Sequence, residues 1–86
     1  MEIIYADEFL KRLQKLPIEI QELYRKQELI FRRDWRNPRL HVKKLKDQPF
    51  PFSFRITRRY RVLFTFVYID IALFMTIGHR KDAYRD

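Results

Sequence analysis

The sequence predicts an α+β fold in which a hairpin of two helices packs on a small antiparallel sheet, in the order β-α-α-β-β-β. Between residues 9 and 35 the apolar residues recur every three or four positions, as on one face of a helix. From Phe52 onwards they alternate with polar residues, as in strands with one buried face. Eighty-six residues, 47% of them hydrophobic, are enough for one packed core, so we expect a single domain over residues 1–86.

The first half of the chain contains the first strand and both helices of this prediction. Met1 to Tyr5 is short, apolar and partly β-branched, which favours a strand, and Asp7 can then cap a helix. That helix ends before Pro17, where a second helix begins because proline is tolerated in a first helical turn. The apolar stripe of the second helix predicts a buried face made of Ile20, Leu23, Tyr24, Gln27, Ile30, Phe31 and Trp35.

The second half predicts a basic loop followed by three strands. Asn37-Pro38 ends the second helix, and residues 39–51 contain two more prolines and no sustained period. Strands of an antiparallel meander are expected at residues 52–57, 60–68 and 71–77. Their alternation directs Arg55 and Arg61 towards the face that the helices leave open.

Positive charge is concentrated in the middle of the chain. The net charge is +8, and residues 25–61 hold thirteen basic and three acidic side chains, a local net charge of +10. Such a segment attracts polyanions through the release of their counterions, so it indicates nucleic acid or an acidic protein segment as the partner. The alternative is a solvated surface whose charges only keep a small basic domain soluble.

The residue types that the sequence lacks disfavour several protein classes. There is no cysteine, so no disulfide forms, and the single glycine, Gly78, excludes a glycine-rich loop for nucleotide phosphates. Two histidines 38 positions apart, without clustered carboxylates, provide no metal-ligand set. The one serine, Ser53, does not lie in a nucleophile elbow. We therefore expect no metal and no cofactor.

The amino-terminal residues predict a cytoplasmic protein without membrane contact. The segment MEIIYADEFLKRL carries acidic residues where a signal peptide has basic ones. No later stretch approaches the roughly 18 uncharged apolar residues of a membrane-spanning helix. The absence of cysteine agrees with a reducing compartment.

Two segments resemble the RelE/ParE superfamily of toxins, LHVKKLKDQPFPFSFRITRRYRVLFTF and IGHRKDAYR. They share with it a basic loop with a KxL core, a basic residue on the next strand, a tight turn into YRVLF, and a late glycine-histidine-arginine and tyrosine segment. The resemblance implies a RelE-like fold and the toxin of a type II toxin–antitoxin system. For the RelE branch it implies an mRNA interferase. Such a toxin is a metal-independent endoribonuclease that cuts mRNA on the ribosome by attack of a ribose 2′-hydroxyl on the adjacent phosphate.

The resemblance also implies which residues form the catalytic site. Arg61 matches the arginine at the start of its strand, and as an exposed residue it should contribute less than about 0.5 kcal/mol to stability. Arg55 matches the second of two basic residues on the preceding strand. The first of the two falls on Ser53, which puts the efficiency of cleavage in doubt. Arg80 stands where RelE-like toxins have arginine and relatives of the YafQ type have a catalytic histidine.

Further candidates lie near the end of the sequence and in the basic loop. Tyr84 matches the terminal tyrosine of the family, which acts as a base or stacks on a nucleobase, and its alternative role is to cover the core. His79 is a further catalytic candidate, although strand alternation aims it away from Arg80, so a structural role is also open. His41 is interpreted as a surface residue, because the loop histidine of the family aligns better with Lys43. Phosphate contacts to RNA are expected from Lys43, Lys44, Lys46, Arg58 and Arg59.

The implied partners are the ribosome, mRNA and a cognate acidic antitoxin that wraps the basic segment, with a higher-order toxin–antitoxin complex as a further expectation. A second hypothesis is a ParE-like toxin that inhibits DNA gyrase and cuts nothing, and because both share a fold, the fold cannot decide. The gyrase-directed branch generally lacks the set of Arg55, Arg61, Arg80 and Tyr84, so its presence favours RNA cleavage. A plain nucleic-acid-binding module would need aromatic residues exposed on the sheet, whereas here they alternate into the core.

Overall fold

Five strands form one mixed sheet, and the two long helices pack on one face of it. A computed structural model describes residues 1–46 and 51–83 of the chain, with side chains as far as Lys81. The elements in chain order are β1 (Glu2–Tyr5), α1 (Asp7–Lys15), α2 (Ile18–Arg33), β2 (Lys43–Lys44), β3 (Phe52–Arg55), β4 (Tyr60–Tyr68), β5 (Ile71–His79) and α3 (Arg80–Ala83), with a 3₁₀ turn at Pro38–Leu40 between α2 and β2.

The sheet confirms the α+β class, but it has one strand and one parallel pair that the sequence does not predict. The strands lie in the order β1-β5-β4-β3-β2, and β3, β4 and β5 form the predicted antiparallel meander. β2 lies within the segment predicted as loop and pairs with β3. β1 pairs with β5 in parallel, with Ile3 opposite Ala72. The alternation of apolar and polar residues cannot reveal a strand of two residues. It also does not show whether two strands far apart in the sequence pair in parallel or antiparallel.

The helical hairpin begins close to the predicted positions. Ala6 occupies the cap position of α1 without a side-chain hydrogen bond, so the prediction that Asp7 caps this helix is wrong. As the first residue of α1, Asp7 instead stabilises the first turn through the helix dipole. Pro17 directly precedes α2, where its fixed backbone angle suits a helix start. Neither helix of this hairpin, nor any other described one, is both long and apolar enough to cross a bilayer.

An aromatic core holds α2 against the three central strands. Phe31 of α2 is fully buried, and its ring centroid lies 5.0 Å from that of Phe64 on β4. The centroids of Phe54 on β3 and Phe74 on β5 lie 5.3 and 5.1 Å from it. Aromatic pairs of this kind contribute about 0.5–1.5 kcal/mol each beyond the burial of their area. These contacts fix the three strands that carry or adjoin the candidate arginines.

A buried hydroxyl on α2 is satisfied within the same helix. The hydroxyl of Tyr24 donates to the carboxylate of Glu28 one turn later, and Glu28 also lies 3.3 Å from Arg32. Burial, together with the neighbouring carboxylate, raises the pKa of Tyr24 far above its ordinary value. The hydroxyl therefore stays protonated and keeps its role as a donor inside the core.

Candidate active site

Three of the predicted arginines meet on the face of the sheet that points away from the helices. Arg55 on β3 lies directly opposite Arg61 on β4, and paired residues of an antiparallel sheet project to the same face. Their neighbours Phe54 and Val62 point into the core, so both arginines point away from it. A pocket of about 300 Å³ opens there, lined by His41, Lys43, Ser53, Arg55, Arg61 and Arg80. This site is called the arginine pocket below.

Arg61 is more enclosed than the sequence suggests. Only 8% of the residue is exposed, and its Nη1 donates to the carbonyl oxygen of Thr57 at 2.8 Å. Thr57 belongs to the turn between β3 and β4, and its hydroxyl in turn accepts from the backbone nitrogen of Tyr60 at 3.2 Å. The prediction of an exposed arginine is therefore wrong, because this turn contacts the guanidinium. The same contact holds the planar fork in one orientation.

Arg80 reaches the pocket from the end of β5. The ladder between β4 and β5 ends at His79, and Arg80 is the first residue of α3. The backbone nitrogen of Arg80 donates to the carbonyl oxygen of Arg59 at 2.5 Å. The turn between β3 and β4 thus holds Arg80 through one backbone carbonyl and Arg61 through another.

A strand that sequence periodicity does not reveal brings a fourth cation to the pocket. Lys43 on β2 lies directly opposite Ser53 on β3. Position 53 is where the resemblance expects a basic residue and this chain has serine. Because both residues line the pocket, the neighbouring strand supplies positive charge beside the place where β3 lacks it. Lys43, expected as a peripheral RNA contact, therefore lies in the wall of the pocket.

The cations of the pocket have no carboxylate partner among the described side chains. The ion pairs found in that part of the chain both lie within a helix, one in α1 and one in α2. Like charges directly opposite each other destabilise a strand pair, so the pairing of Arg55 with Arg61 has an energetic cost. A phosphate bound between them would relieve this repulsion and would accept charge-assisted hydrogen bonds from both forks. The pocket is therefore suited to an anion.

His41 is the residue of this pocket that sequence analysis missed. It follows the 3₁₀ turn in the left-handed conformation, with φ 48° and ψ 50°, which costs about 1–2 kcal/mol for a residue with a side chain. It is exposed, as predicted, but on the pocket wall. Histidine is a common general acid or base in enzymes, unlike the arginine and serine around it. One signal in the sequence could have placed it there: His41 stands two residues before Lys43, and residues two apart in an extended segment point to the same side.

The fold is similar to that of several solved structures. No family model and no curated protein matches this sequence. A chain of the RelB–RelE antitoxin–toxin complex from Methanococcus jannaschii superposes with a TM-score of 0.74 at 24% identity, over 94% of each chain. The YoeB/ParE toxin from Agrobacterium tumefaciens gives 0.74 at 13% identity, over 92% of this chain and 98% of that one. YafQ from E. coli gives 0.69 at 11% identity, over 98% of both. The chain has the RelE/ParE toxin fold.

Within this RelE/ParE fold, His79 lies on the opposite side of the sheet from the arginines. Its ring packs edge to face on that of Tyr60, with centroids 5.7 Å apart, and both line a separate groove of about 240 Å³ with Arg12 and Lys15. The imidazole Nδ1 accepts from the backbone nitrogen of Lys81 at 3.3 Å. Consecutive strand residues point to opposite faces, so the structure does not bring His79 into the arginine pocket. This second site is called the His79 groove below.

The other predicted RNA contacts lie on the surface of the fold. The exposed members of this set are Lys44, Lys46, Arg58 and Arg59. Arg58 and Arg59 belong to the turn that holds Arg61, whereas Lys44 follows Lys43 on β2 and points to the other face. Tyr84, the predicted terminal tyrosine of the site, lies outside the described residues.

Proposed function

We propose that this chain is the toxin of a type II toxin–antitoxin system and cuts mRNA on the ribosome. The observation that carries the proposal is the arginine pocket, where Arg55, Arg61, Arg80 and Lys43 surround one space of about 300 Å³. The RelE/ParE fold supports the class of protein. The cations support the reaction, which is attack of a ribose 2′-hydroxyl on the adjacent phosphate.

The cations stabilise the charge that develops as the 2′-oxygen attacks. The phosphate gains negative charge in its pentavalent transition state, and donors that are already oriented towards it stabilise that state more than the starting RNA. Arg61 meets this requirement, because the carbonyl of Thr57 holds its guanidinium in place. Arg55, directly across the strand pair, offers a second fork to the same phosphate.

Two proton transfers complete the reaction. One group takes the proton of the 2′-hydroxyl, and another protonates the leaving 5′-oxygen. His41 is the described residue of the pocket whose side chain suits one of these transfers. Tyr84 stays a prediction for the other transfer, on the resemblance alone. No three histidine, aspartate or glutamate side chains gather as metal ligands in the described residues, and the proposed reaction needs neither metal nor cofactor.

The ribosome supplies the orientation that the small pocket lacks. The pocket is rich in charge but has a single described group for proton transfer, so free RNA in an arbitrary conformation is a poor substrate. Holding the reacting groups in line contributes several kcal/mol to the lowering of a barrier. Lys44, Lys46, Arg58 and Arg59 contact phosphates of the ribosome or the message in this proposal.

In this proposal the chain acts in the cytoplasm, and its second partner is an acidic antitoxin. The local net charge of +10 over residues 25–61 favours an acidic segment that covers it until release. The structure from Methanococcus jannaschii is a complex of an antitoxin with a toxin, which supports such a partner here. Assembly of several toxin and antitoxin chains into a larger complex is part of the same proposal.

The test compares translated message with naked RNA. Purified protein is added to ribosomes translating a defined mRNA and, separately, to the same RNA alone, and the ends are mapped by primer extension. Cuts in frame with codons, present only during translation, are the expected result. Intact messages together with loss of supercoiling by purified DNA gyrase would replace this proposal with the ParE-like one.

A further inference from the structure

One side chain outside the arginine pocket joins two segments that form its walls. Gln27 lies in the middle of α2 and is half-buried. Its amide nitrogen donates to the carbonyl oxygen of Arg55 at 2.7 Å and to that of Arg39 at 3.2 Å. A glutamine amide carries two N–H donors, so one side chain serves both carbonyls.

The two carbonyl groups that accept these hydrogen bonds belong to segments with different proposed roles, phosphate binding and proton transfer. Arg55 is the last residue of β3 and lies across from Arg61, so its carbonyl lies beside the wall that is proposed to bind phosphate. Arg39 lies within the 3₁₀ turn, two residues before His41. The amide of Gln27 therefore ties the segment of the proposed proton-transfer group to the strand of the proposed phosphate-binding group.

We propose that Gln27 is a positioning residue that sets the distance between His41 and the arginines Arg55 and Arg61. The inference rests on the proposed function. Without the two hydrogen bonds the cations stay in the pocket, so binding of RNA changes little, but the proton-transfer group moves relative to the phosphate. A displacement of about 1 Å in a reacting geometry can cost on the order of a hundredfold in rate.

The same helix contains a matched control. Gln21 is also half-buried on α2, and its amide nitrogen donates to the carbonyls of Leu16 at 2.9 Å and Gln14 at 3.3 Å. These acceptors lie at the junction of α1 and α2, and neither lines the arginine pocket. Replacing either glutamine by methionine removes two hydrogen bonds of the same kind while keeping the length of the side chain.

The experiment measures three quantities for the full chain and its variants Gln27→Met, Gln21→Met and Gln27→Lys. These are the urea midpoint of unfolding, the affinity for ribosomes programmed with mRNA, and the single-turnover rate of cleavage at saturating ribosomes. We expect Gln27→Met to slow cleavage at least tenfold with less than a twofold change in affinity. We expect Gln21→Met, at a similar urea midpoint, to slow it less than twofold. The lysine of Gln27→Lys keeps N–H donors and should restore most of the rate.

The outcomes separate this inference from the proposed function. If the wild-type chain cuts and Gln27→Met cuts as fast as Gln21→Met, the inference fails and the proposed function stands. Loss of ribosome affinity without loss of rate would also overturn it, because a phosphate-binding defect is not a positioning defect. If Gln27→Met does not fold, a Gln27→Lys rate far below that of wild type at equal stability overturns it. A wild-type chain that cuts nothing removes both proposals.

Discussion

The arginine pocket and the His79 groove lie on opposite sides of the same end of the sheet, and both are cationic. In the groove, Arg12 donates to the hydroxyl of Thr76 at 3.2 Å and pairs with Glu8 at 3.8 Å. In the pocket, Arg61 has a neutral backbone carbonyl as its described partner and another arginine directly across the strand pair. Among the described side chains, one of the two lysine and arginine residues of the groove is thus paired with a carboxylate, whereas none of the four in the pocket is. The difference teaches that basic residues indicate an anion site where their charge is left uncompensated, and not simply where they are numerous.

Gly78 adjoins both groups of cations, because it lines the His79 groove and lies opposite Arg61. It pairs with Arg61 across the ladder, and a Cβ added to it would lie 3.3 Å from Nη1 of Arg12. Its backbone angle is not in the left-handed region, so conformation does not require glycine, and an added Cβ would need the end of the Arg12 side chain to shift by a few tenths of an ångström. The single glycine of the chain thus leaves room for the guanidinium of Arg12 beside β5.

The largest expected effect is that of Arg61→Ala. Removing one oriented donor from a developing oxyanion typically costs about 10²–10³ in rate, so under the proposed function the growth arrest caused by this chain without its partner should disappear. The variant should also lose about 1 kcal/mol of stability, because the side chain is buried and the carbonyl of Thr57 loses its donor. Growth assays and urea unfolding measure the two effects.

Arg61→Lys serves as the control for charge, since it keeps the cation and loses the planar fork. We expect it to retain the fold and to cut slowly. Toxicity equal to wild type in both Arg61→Ala and Arg55→Ala would mean that the arginine pocket is not the site.

The next effect compares the two histidines. His41→Gln should slow cleavage by about a hundredfold, at the lower end for loss of an acid–base group. His79→Gln should change the rate less than about threefold, because His79 lies in the other groove. Single-turnover rates of the two variants decide between them. A larger loss in His79→Gln than in His41→Gln would reverse the assignment.

A smaller effect separates the adjacent lysines of β2. Lys43→Ala should slow cleavage on the bound ribosome, because Lys43 lines the pocket. The side chain of Lys44 points to the other face, so Lys44→Ala should weaken only the binding to the ribosome. It should lower the salt dependence of that affinity by about one counterion. Binding titrations at several salt concentrations and cleavage rates at saturation measure these changes. Identical behaviour of the two variants would remove Lys43 from the site.

The smallest expected effect is that of a chelator. If arginine and lysine carry the charge stabilisation, EDTA at a concentration that keeps ribosomes intact should leave the rate unchanged. The products should end in a 2′,3′-cyclic or a 3′-phosphate, as attack by the 2′-hydroxyl requires. End analysis of the cut RNA checks this, and 3′-hydroxyl ends would contradict the mechanism.

Periodicity alone predicts the helical hairpin, the three-stranded meander and the shared face of Arg55 and Arg61. These features follow from the sequence because the repeat of 3.6 or 2 residues is a property of each segment by itself. The resemblance added Arg80, and the pocket holds it together with the other two arginines.

Only the tertiary structure revealed which segments of the chain contact one another. Lys43 enters the pocket because β2 pairs with β3, and His41 reaches it because a 3₁₀ turn and a left-handed residue redirect the chain. Arg61 is buried because the turn before its own strand contacts it. A two-residue strand has no detectable period, and contacts between segments distant in sequence depend on how the whole chain packs. The sequence by itself therefore determined the elements and the faces of their side chains, and the packing decided which of those side chains share a pocket.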